Sequence, residues 1–425
     1  MTLERKPPAM LMSRVGVVVI GGGPAGISAA IAAAVDGASV LIVDREARLG
    51  GALKQAIHDG FGFLRYDEQL TGPEYAFRDI STLEQTNAFV MLQTTVTKIV
   101  SIGNAFQLTL CNRHGIVQLE AKSVVLATGC LERTARQIHI HGSRPAGVFT
   151  AGSAQYYLNI MGQVPARRCI ILGSGDLGLV MAKTLTTEGI NVLGIYEPNG
   201  AIAGSQQNLA ACMNDYNIPL HFNHTITHVF GTQRLKSAII SRVDKGLVPI
   251  AGSENRVKCD SVIISTGLIP ETDLAESMGI PVSSETNGPE CDQNFMTLLD
   301  GLFCCGNSVH INGKAEYISE SGAIAGRNAA RFIERDRQLV KLSTSKDFLY
   351  CVPQYLDIDM LHNTTTIFFR PREIRKDAKV KIYIDGHELL SQDFLTLRPP
   401  EVEKIEVDFN TPLTTSSKIE LRMER

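Results

Sequence analysis

Glycine and acidic residues recur in this chain at a spacing suited to holding a nucleotide. Residues 21–26 read Gly-Gly-Gly-Pro-Ala-Gly between an apolar run over residues 15–20 and an alanine-rich stretch over residues 27–35. Such glycines allow a tight turn, close backbone approach to a pyrophosphate, and packing of a helix against a strand. The helix N-terminus then faces the phosphate charge, and an acid at the end of the next strand accepts from a ribose. The residues expected to meet the dinucleotide are Gly21, Gly23, Pro24, Ala25, Gly26 and Asp44.

The same arrangement occurs a second time. Residues 173–178 read Gly-Ser-Gly-Asp-Leu-Gly, after an apolar run over residues 169–172 and before a predicted helix over residues 177–187. A single glycine-rich turn is weak evidence, but here strand, glycines, helix and acid recur together twice. The alternative is a packing domain that has lost its ligand. The residues expected at this second site are Gly173, Gly175, Gly178 and Glu197.

Composition and charge favour a globular protein that acts on small molecules. The 425 residues carry 41 basic and 44 acidic side chains, a net charge of −3, which gives no reason to expect nucleic acid or an anionic membrane surface. The apolar stretch over residues 15–34 contains glycines and Pro24, which fit a nucleotide-binding turn better than a membrane span or a signal peptide. We therefore expect a cytoplasmic protein without a membrane span.

Cysteine spacing supports neither a metal site nor a disulfide framework. The nine cysteines contain no CxxC pair, and the only close pair is Cys304 and Cys305. Several cysteines end or interrupt apolar runs, which favours buried thiols in a reducing compartment.

Further patterns predict the division into domains. Strands ending in small residues occur at 124–129 and again at 262–267, and small residues allow a ligand to approach the backbone. A short apolar strand runs into residues 306–307 and is followed by a helix over 321–333, so this segment is expected to rejoin the first domain. The expected fold class is α/β, with two Rossmann-like dinucleotide-binding domains. The expected boundaries are 14–150 with 255–335 for the first domain, 151–254 for the second, and 336–425 for a small C-terminal β appendage.

Alternating apolar and polar runs predict about four strands in the C-terminal appendage. These runs lie at residues 364–369, 380–384, 405–409 and 418–421. Residues 379–384 would present a strand edge and an apolar face for a second copy of the chain or for a partner dehydrogenase subunit. A β flap that closes over the chain's own first domain is the alternative.

On these motifs the chain resembles the two-dinucleotide-binding flavoproteins of the pyridine nucleotide-disulfide oxidoreductase superfamily. Within it, the chain is most similar to bacterial proteins associated with glycerol-3-phosphate, opine or amino-acid dehydrogenase components. The resemblance covers about residues 14–335. The motifs that carry it lie at residues 51, 57–62, 70–75, 127–133, 144–147, 171–179, 267–270 and 305–307.

The resemblance implies FAD in the first domain, NAD(H) in the second, and a nicotinamide that reaches the flavin. It implies that Gly306 and Asn307 contact the flavin pyrophosphate and ribityl chain, although many members carry aspartate at the second position. The backbone of Val96 would meet the adenine, or Val96 is an ordinary strand residue. The other implied cofactor contacts are Arg45, Gly51, Ala127, Thr128, Gly129 and Gly267.

The departures from the family pattern concern substrate chemistry. Disulfide reductases place a redox cysteine pair beside the flavin, whereas residues 50–53 contain none and Ala56 stands where many relatives carry cysteine. Leu131 replaces a common arginine, and residues 312–314 replace a frequent His-Asp-Leu sequence. Flavin binding is therefore expected to be intact, while the sequence names no substrate.

No side chain is required as a catalytic group, because the flavin itself carries the redox chemistry. His310, three residues beyond Asn307, could shuttle a proton or cap a turn. His58 could line a substrate cleft or stabilise a turn. Cys130 could be a reactive thiol or a small packed residue.

Three functions remain compatible with the sequence. The first is an FAD-dependent oxidoreductase that exchanges a hydride between NAD(H) and flavin and acts on a small-molecule substrate or electron acceptor. The second is an electron-transfer subunit of a multicomponent dehydrogenase. The third is a nucleotide-binding protein with little turnover.

The second site is predicted to prefer NAD(H) to NADP(H). Glu197 would accept from a ribose 2′-hydroxyl and repel a 2′-phosphate, and no lysine or arginine occurs between Lys183 and Arg234. Glu197→Arg should therefore shift the preference toward NADPH. The rates of anaerobic flavin reduction by the two nucleotides measure this preference, and reduction of the unmodified protein by NADPH at an equal or higher rate contradicts it.

Overall fold

The computed structural model describes residues 14–210, 212, 215–361, 364–410 and 412–424. Of these, the residues within Met1–Lys54, Asp59–Cys130 and Pro270–Arg425 form one compact unit, called here the first unit. Gln55–His58 and Leu131–Ile269 form the second unit. None of the helices in these ranges is long and apolar enough to cross a membrane.

The first unit begins with a mixed sheet around the first glycine turn. Its elements before residue 130 are β1 (Arg14–Ile20), α1 (Pro24–Val35), β2 (Val40–Val43), β3 (Asp59–Phe61), α2 (Phe63–Tyr66), β4 (Leu70–Thr71), α3 (Gly72–Glu84), β5 (Phe89–Met91), β6 (Thr95–Ile102), β7 (Ala105–Asn112) and β8 (Gly115–Leu126). The sheet order is β5-β2-β1-β8-β7-β6. β1 is parallel to both β2 and β8, while β6, β7 and β8 form an antiparallel meander. All four residues of β2 are buried, as expected for a parallel strand covered on both faces.

The next segment of the chain builds two larger sheets and one two-stranded sheet, in which its first and last strands pair. Its elements are β9 (Cys130–Glu132), β10 (His141–Gly142), β11 (Val148–Thr150), α4 (Ala151–Asn159), β12 (Arg168–Leu172), α5 (Asp176–Thr187), β13 (Asn191–Glu197), α6 (Gln206–Ala210), β14 (Leu220–Phe222), β15 (His224–Gly231), β16 (Leu235–Arg242), β17 (Asn255–Lys258), β18 (Ser261–Ile264) and β19 (Leu268–Pro270). A five-stranded parallel sheet has the order β11-β18-β12-β13-β14 and carries the second glycine turn. The other larger sheet has the order β10-β15-β16-β17.

The unit boundaries differ from the expected domain boundaries at residues 150 and 254. β10 pairs with β15 and β11 pairs with β18, so residues 131–150 belong to the second unit. β18 also pairs with β12, which keeps residues 255–269 there as well. These strands are short, and their partners lie far along the chain.

The rest of the chain returns to the first unit. Its elements are α7 (Asp273–Ser277), β20 (Leu302–Cys304), α8 (Ala315–Arg331), β21 (Leu339–Thr344), β22 (Phe348–Val352), β23 (Tyr355–Asp357), β24 (Thr365–Pro371), β25 (Arg375–Ile384), β26 (His387–Leu397), β27 (Glu403–Val407) and β28 (Ile419–Glu424). β20 pairs in parallel with β8 and so extends the sheet that holds the first glycine turn. α8 spans residues 315–331, whereas the sequence predicted a helix over 321–333.

The C-terminal β region is larger than the four strands expected from the sequence. β21 to β28 form one sheet with the order β23-β21-β28-β25-β26 and another with the order β22-β24-β27. They enclose a hydrophobic cluster that includes Leu342, Phe369 and Ile382. The expectation that residues 379–384 present an edge is wrong, because β25 lies between β28 and β26. The edge on that side of the sheet is β26.

α1 packs closely against α8, so two segments of the first unit that are far apart in the sequence lie in contact. A Cβ atom added at Gly322 would lie 2.1 Å from the carbonyl oxygen of Ala25, and one at Gly326 would lie 2.0 Å from that of Ala29. The two helices can approach this closely only because both positions lack a side chain.

Gly322→Ala should therefore destabilise the first unit, even though alanine is the better helix former. Overpacking costs about 1–3 kcal/mol and exceeds the propensity gain of about 1 kcal/mol. Urea unfolding of the variant measures the free-energy change. Gly313→Ala is the matched control, since nothing lies within 4 Å of a Cβ atom added there. Equal unfolding midpoints for the two variants would contradict the packing argument.

Candidate functional site

The first glycine turn links the end of β1 to the start of α1. Gly21 has φ +107°, and a Cβ atom there would lie 2.2 Å from the carbonyl oxygen of Ala127. A Cβ atom at Gly26 would lie 1.8 Å from the carbonyl oxygen of Gly21. The N-cap residue of α1 is Gly23, which has no side chain to accept from the N–H groups of the first helical turn. This helix end is therefore suited to holding an anion through its backbone amides.

Asp44 follows β2 and holds the turn through its carboxylate. The Gly22 N–H donates to Oδ2 at 2.6 Å, and the Glu46 N–H donates to Oδ1 at 2.7 Å. Each carboxylate oxygen has two lone pairs, so each retains one position for a further donor. The side chain is 8 % exposed. Asp44 is thus positioned to accept from two vicinal hydroxyls of a ribose.

Residues far apart in the sequence meet at this turn. A Cβ atom on Gly51 would lie 2.9 Å from the Cα atom of Gly23, and one on Gly306 would lie 2.7 Å from the Cβ atom of Ala25. Gly306 has φ +67°, and its N–H donates to Ser321 Oγ at 3.0 Å. The structure therefore brings two further motifs singled out in the sequence to the start of α1.

Asn307 is tied to its own loop and to Cys130. Its Oδ1 accepts from the Asn312 N–H at 2.9 Å, and its Nδ2 lies 3.8 Å from the Cys130 sulfur. Cys130 is half-buried. The thiol therefore lies beside the residue expected to contact the flavin.

Glu271 joins several expected cofactor contacts and was not identified from the sequence. Its backbone oxygen accepts from Thr128 Oγ1 at 2.8 Å, and its N–H donates to the Gly129 oxygen at 3.0 Å. Its carboxylate lies 3.5 Å from Arg45 Nη2. No sequence motif marks Glu271, because its role depends on the return of the chain after residue 269.

Val96, an expected adenine contact, lies on β6 opposite Leu110 and is 8 % exposed.

His310 is part of the core of the first unit. It is 3 % exposed, its ring lies 5.6 Å from that of Tyr350 and 5.5 Å from that of Phe368, and Nδ1 is 3.4 Å from Tyr350 Oη. Burial, with a smaller contribution from the Arg370 charge, lowers the pKa of His310 to about 3. A proton shuttle works best with a pKa near the operating pH. The side chain therefore packs in a neutral form, which disfavours both the shuttle and the turn cap considered from the sequence.

His58 lies in the short segment Gln55–His58 that belongs to the second unit. Gln55 anchors this segment to α4, since its Nε2 donates to the Gly152 oxygen at 3.2 Å and its own backbone oxygen accepts from Asn159 Nδ2 at 2.7 Å. The backbone that leads to His58 is thus held by structural contacts, and both roles considered for His58 from the sequence stay predictions.

The second glycine turn repeats the geometry of the first. Cβ atoms on Gly173 and Gly178 would lie 2.0 Å from the Ser265 oxygen and 2.4 Å from the Gly173 oxygen. Gly175 is the N-cap of α5, and a Cβ atom there would meet nothing within 4 Å. Gly267 has φ +102°, and its oxygen accepts from the Arg133 N–H at 3.3 Å.

Glu197 accepts hydrogen bonds from more donors than Asp44 does. The backbone N–H groups of Ser174 and Asn199 donate to its two oxygens at 2.8 and 2.9 Å, as the equivalent groups do to Asp44. Ser174 Oγ and Asn199 Nδ2 donate as well, at 2.7 and 2.8 Å. Glu197 is 2 % exposed. The second turn and helix thus fit a dinucleotide, but both oxygens of the Glu197 carboxylate already accept two hydrogen bonds each from protein groups.

Together, parallel strands around a glycine turn, a helix that starts at that turn, and a buried acid at the end of the next strand occur in each unit and define a protein with two dinucleotide-binding folds. Among the described residues, no group of three or more His, Cys, Asp or Glu side chains is arranged to hold a metal ion. The chain belongs to the pyridine nucleotide-disulphide oxidoreductase family, whose model matches residues 15–331.

Relatives of known name agree with this assignment. An opine oxidase subunit of Agrobacterium tumefaciens is 24% identical over 406 residues, which cover 91% of this chain and 75% of that protein. The hydrogen cyanide synthase subunit HcnB of Pseudomonas aeruginosa is 25% identical over 346 residues, which cover 76% and 71%. Thioredoxin reductase of Listeria innocua is 23% identical over 338 residues, which cover 78% and 97%.

Solved structures show the same fold. Thioredoxin reductase of T. acidophilum superposes with a TM-score of 0.61 at 20% identity, covering 75% of this chain and 98% of that one. L-Proline dehydrogenase of P. horikoshii gives a TM-score of 0.54 at 19% identity, covering 74% and 55%. The family assignment confirms the resemblance and FAD with a nicotinamide dinucleotide as the cofactors expected from the sequence, and these structures confirm the fold class.

Asp44→Ala should weaken the retention of FAD, because the ribose loses its acceptor and the Gly22 N–H loses its partner. The loss of a hydrogen bond to a charged group costs about 1.5–3 kcal/mol, or roughly tenfold or more in affinity. Chromatography of the acid-released cofactor, together with flavin absorbance during dialysis, measures identity and retention. Asp336→Ala, at an exposed position of the same unit, is the control. Release of FMN, or equal retention by the two variants, would contradict the assignment.

Proposed function

We propose that this chain is an FAD-dependent oxidoreductase that exchanges a hydride between NAD(H) and flavin and acts on a small-molecule substrate or electron acceptor. The observation that carries the proposal is the repeated geometry of the two turns. In both, a buried carboxylate accepts from the central residue of the turn and from the residue two positions after itself.

Each turn has a defined binding role in this proposal. The amides at the start of α1 hold the FAD pyrophosphate, and Asp44 accepts from the ribose. Gly306 leaves space beside the start of α1, while Asn307 contacts the ribityl chain. The second turn and Glu197 do the same for NAD(H). Bound flavin supplies the redox chemistry, and the protein binds and orients it.

The cysteines support a substrate that is not a disulfide. A two-electron relay to a disulfide needs a pair of thiols beside the flavin, and no CxxC or CxxxxC pair exists in the sequence. Cys304 and Cys305 are buried, and burial raises the pKa of the Cys304 thiol to about 12 and that of Cys305 well above its ordinary value. Cys130 lies beside Asn307 without a second cysteine next to it in sequence. The proposed chemistry therefore differs from that named for the thioredoxin reductase relatives.

A second candidate function is an electron-transfer subunit of a multicomponent dehydrogenase. It is favoured by the relatives' names, since the opine oxidase and hydrogen cyanide synthase relatives are both named as subunits of an enzyme. In this case the substrate is oxidised on a partner, and this chain passes the electrons on. A homo-oligomer is a further assembly compatible with the sequence.

Anaerobic stopped-flow reduction of the purified protein tests the proposal. NADH should bleach the visible absorbance of the flavin, with turnover of a small acceptor, while glutathione, lipoamide and thioredoxin disulfides should not be reduced. Cys130→Ser should leave this pattern unchanged. Disulfide turnover that survives the Cys130 replacement would show that the cysteines have been misread.

The same measurements separate the two candidates. Reduction by NADH without a second protein supports the first. Reduction only after a copurifying partner protein and its substrate are added supports the second. A flavin that no donor reduces would contradict both and favour a binding protein with little turnover.

A further inference from the structure

The second nucleotide turn is covered by a segment of its own unit. Residues 199–208 leave the end of β13 and reach into α6. The Ala203 N–H donates to Ser174 Oγ at 3.1 Å, and the Ser205 N–H donates to Asp176 Oδ1 at 2.8 Å. Asn208 Nδ2 donates to the same Asp176 oxygen at 2.6 Å. Three residues of the segment are thus bonded to the turn.

The segment also lies against the amide at which a pyrophosphate would be held. A Cβ atom added at Gly204 would lie 2.9 Å from the Asp176 nitrogen and 2.9 Å from the Ser174 oxygen. Asp176 is the first residue of α5, so its N–H is one of the open amides of the helix N-terminus. The backbone of Gly204 and a bound phosphate would compete for this space.

Comparison with the first turn isolates the residues responsible. Gly22 occupies the position of Ser174, and Glu46 the position of Asn199, and each of these four residues contributes a backbone N–H to its acid. Only the second turn adds the side-chain donors Ser174 Oγ and Asn199 Nδ2. Ser174 Oγ also accepts from Ala203, so one hydroxyl both satisfies Glu197 and holds the segment.

We propose that residues 199–208 form a latch over the second nucleotide site, held closed by Ser174, Asn199 and Asp176, and that NAD(H) binds only when this latch opens. While the latch is closed, Ser174 and Asn199 occupy the remaining lone pairs of Glu197, and the backbone of Gly204 lies beside the first amide of α5. A nucleotide must replace these hydrogen bonds with its own, which lowers its affinity by the free energy of closing the latch. This inference rests on the proposed NAD(H) site.

Titration calorimetry of NAD⁺ into the FAD-loaded protein tests the latch, since NAD⁺ does not reduce the flavin. Ser174→Gly and Asn199→Ala each remove a side-chain donor that the first turn lacks, and each should bind NAD⁺ about tenfold more tightly, or about 1.4 kcal/mol. Asn208→Ala releases the far end of the latch without touching Glu197 and should also tighten binding. Asn191→Ala, at the exposed first residue of β13, should bind as the unmodified protein does.

Hydrogen exchange provides a readout that does not depend on affinity. The amides of Ala203 and Ser205 should be protected in the nucleotide-free protein and exchange faster at saturating NAD⁺. They should also exchange faster in Ser174→Gly, while protection of α5 reports that the unit remains folded.

The outcomes separate the latch from the nucleotide site. If the unmodified protein binds NAD⁺ with both amides still protected, or if Ser174→Gly and Asn199→Ala weaken binding, the latch is overturned and the NAD(H) site stands. If neither the unmodified protein nor any variant binds NAD⁺, the proposed nucleotide is wrong and the latch inference fails with it. Tighter binding with loss of amide protection supports both.

Discussion

A carboxylate at the end of a buried strand holds each nucleotide turn, and the geometry of both sites depends on it. Asp44 accepts from the amide of Gly22, and Glu197 accepts from the amide of Ser174. Hydrogen bonds to an ionised acceptor are about twice as strong as neutral ones, and a buried carboxylate left without donors would be costly. The acid therefore fixes the path of the turn before any ligand arrives. Each turn then orients the first amides of the helix that follows it, α1 in the first unit and α5 in the second.

The two sites share the same backbone hydrogen bonds to the acid, but they differ in whether that acid can accept further donors. In the first unit the acid keeps free lone pairs, because the turn residue is glycine and the residue two positions on is an exposed glutamate. In the second unit two polar side chains at those positions take up the remaining capacity of Glu197. Small changes of residue type around one acid thus decide whether a preformed site is open. Fold similarity alone does not reveal this difference, because the backbone bonds are the same in both units.

The parts of the structure that rest on local patterns could be predicted from the sequence. The apolar runs before both turns, at residues 15–20 and 169–172, agree with β1 and β12 within one residue, since glycine spacing and apolar runs are local signals. β26 was missed because it is an edge strand whose residues are largely polar and exposed. The packing of His310 against Phe368, the contact between Cys130 and Asn307, and the role of Glu271 join segments far apart in sequence. The satisfied state of Glu197 depends on the conformation of a loop, which residue types alone do not specify.

The burial of His310 has a consequence for the behaviour of the protein in acid. The loop that carries Asn307 is joined to the C-terminal sheets through a ring that stays neutral in the folded state, with a pKa of about 3. The unfolded chain takes up a proton at this histidine near its ordinary pKa of about 6.5. The contribution of His310 to folded stability is therefore fully present above that pH and is lost as the pH falls from there toward 3, because the unfolded state binds a proton that the folded state excludes. The contact between the loop that carries Asn307 and the C-terminal sheets is thus linked to proton concentration, and acid weakens it even though His310 is out of reach of the solvent.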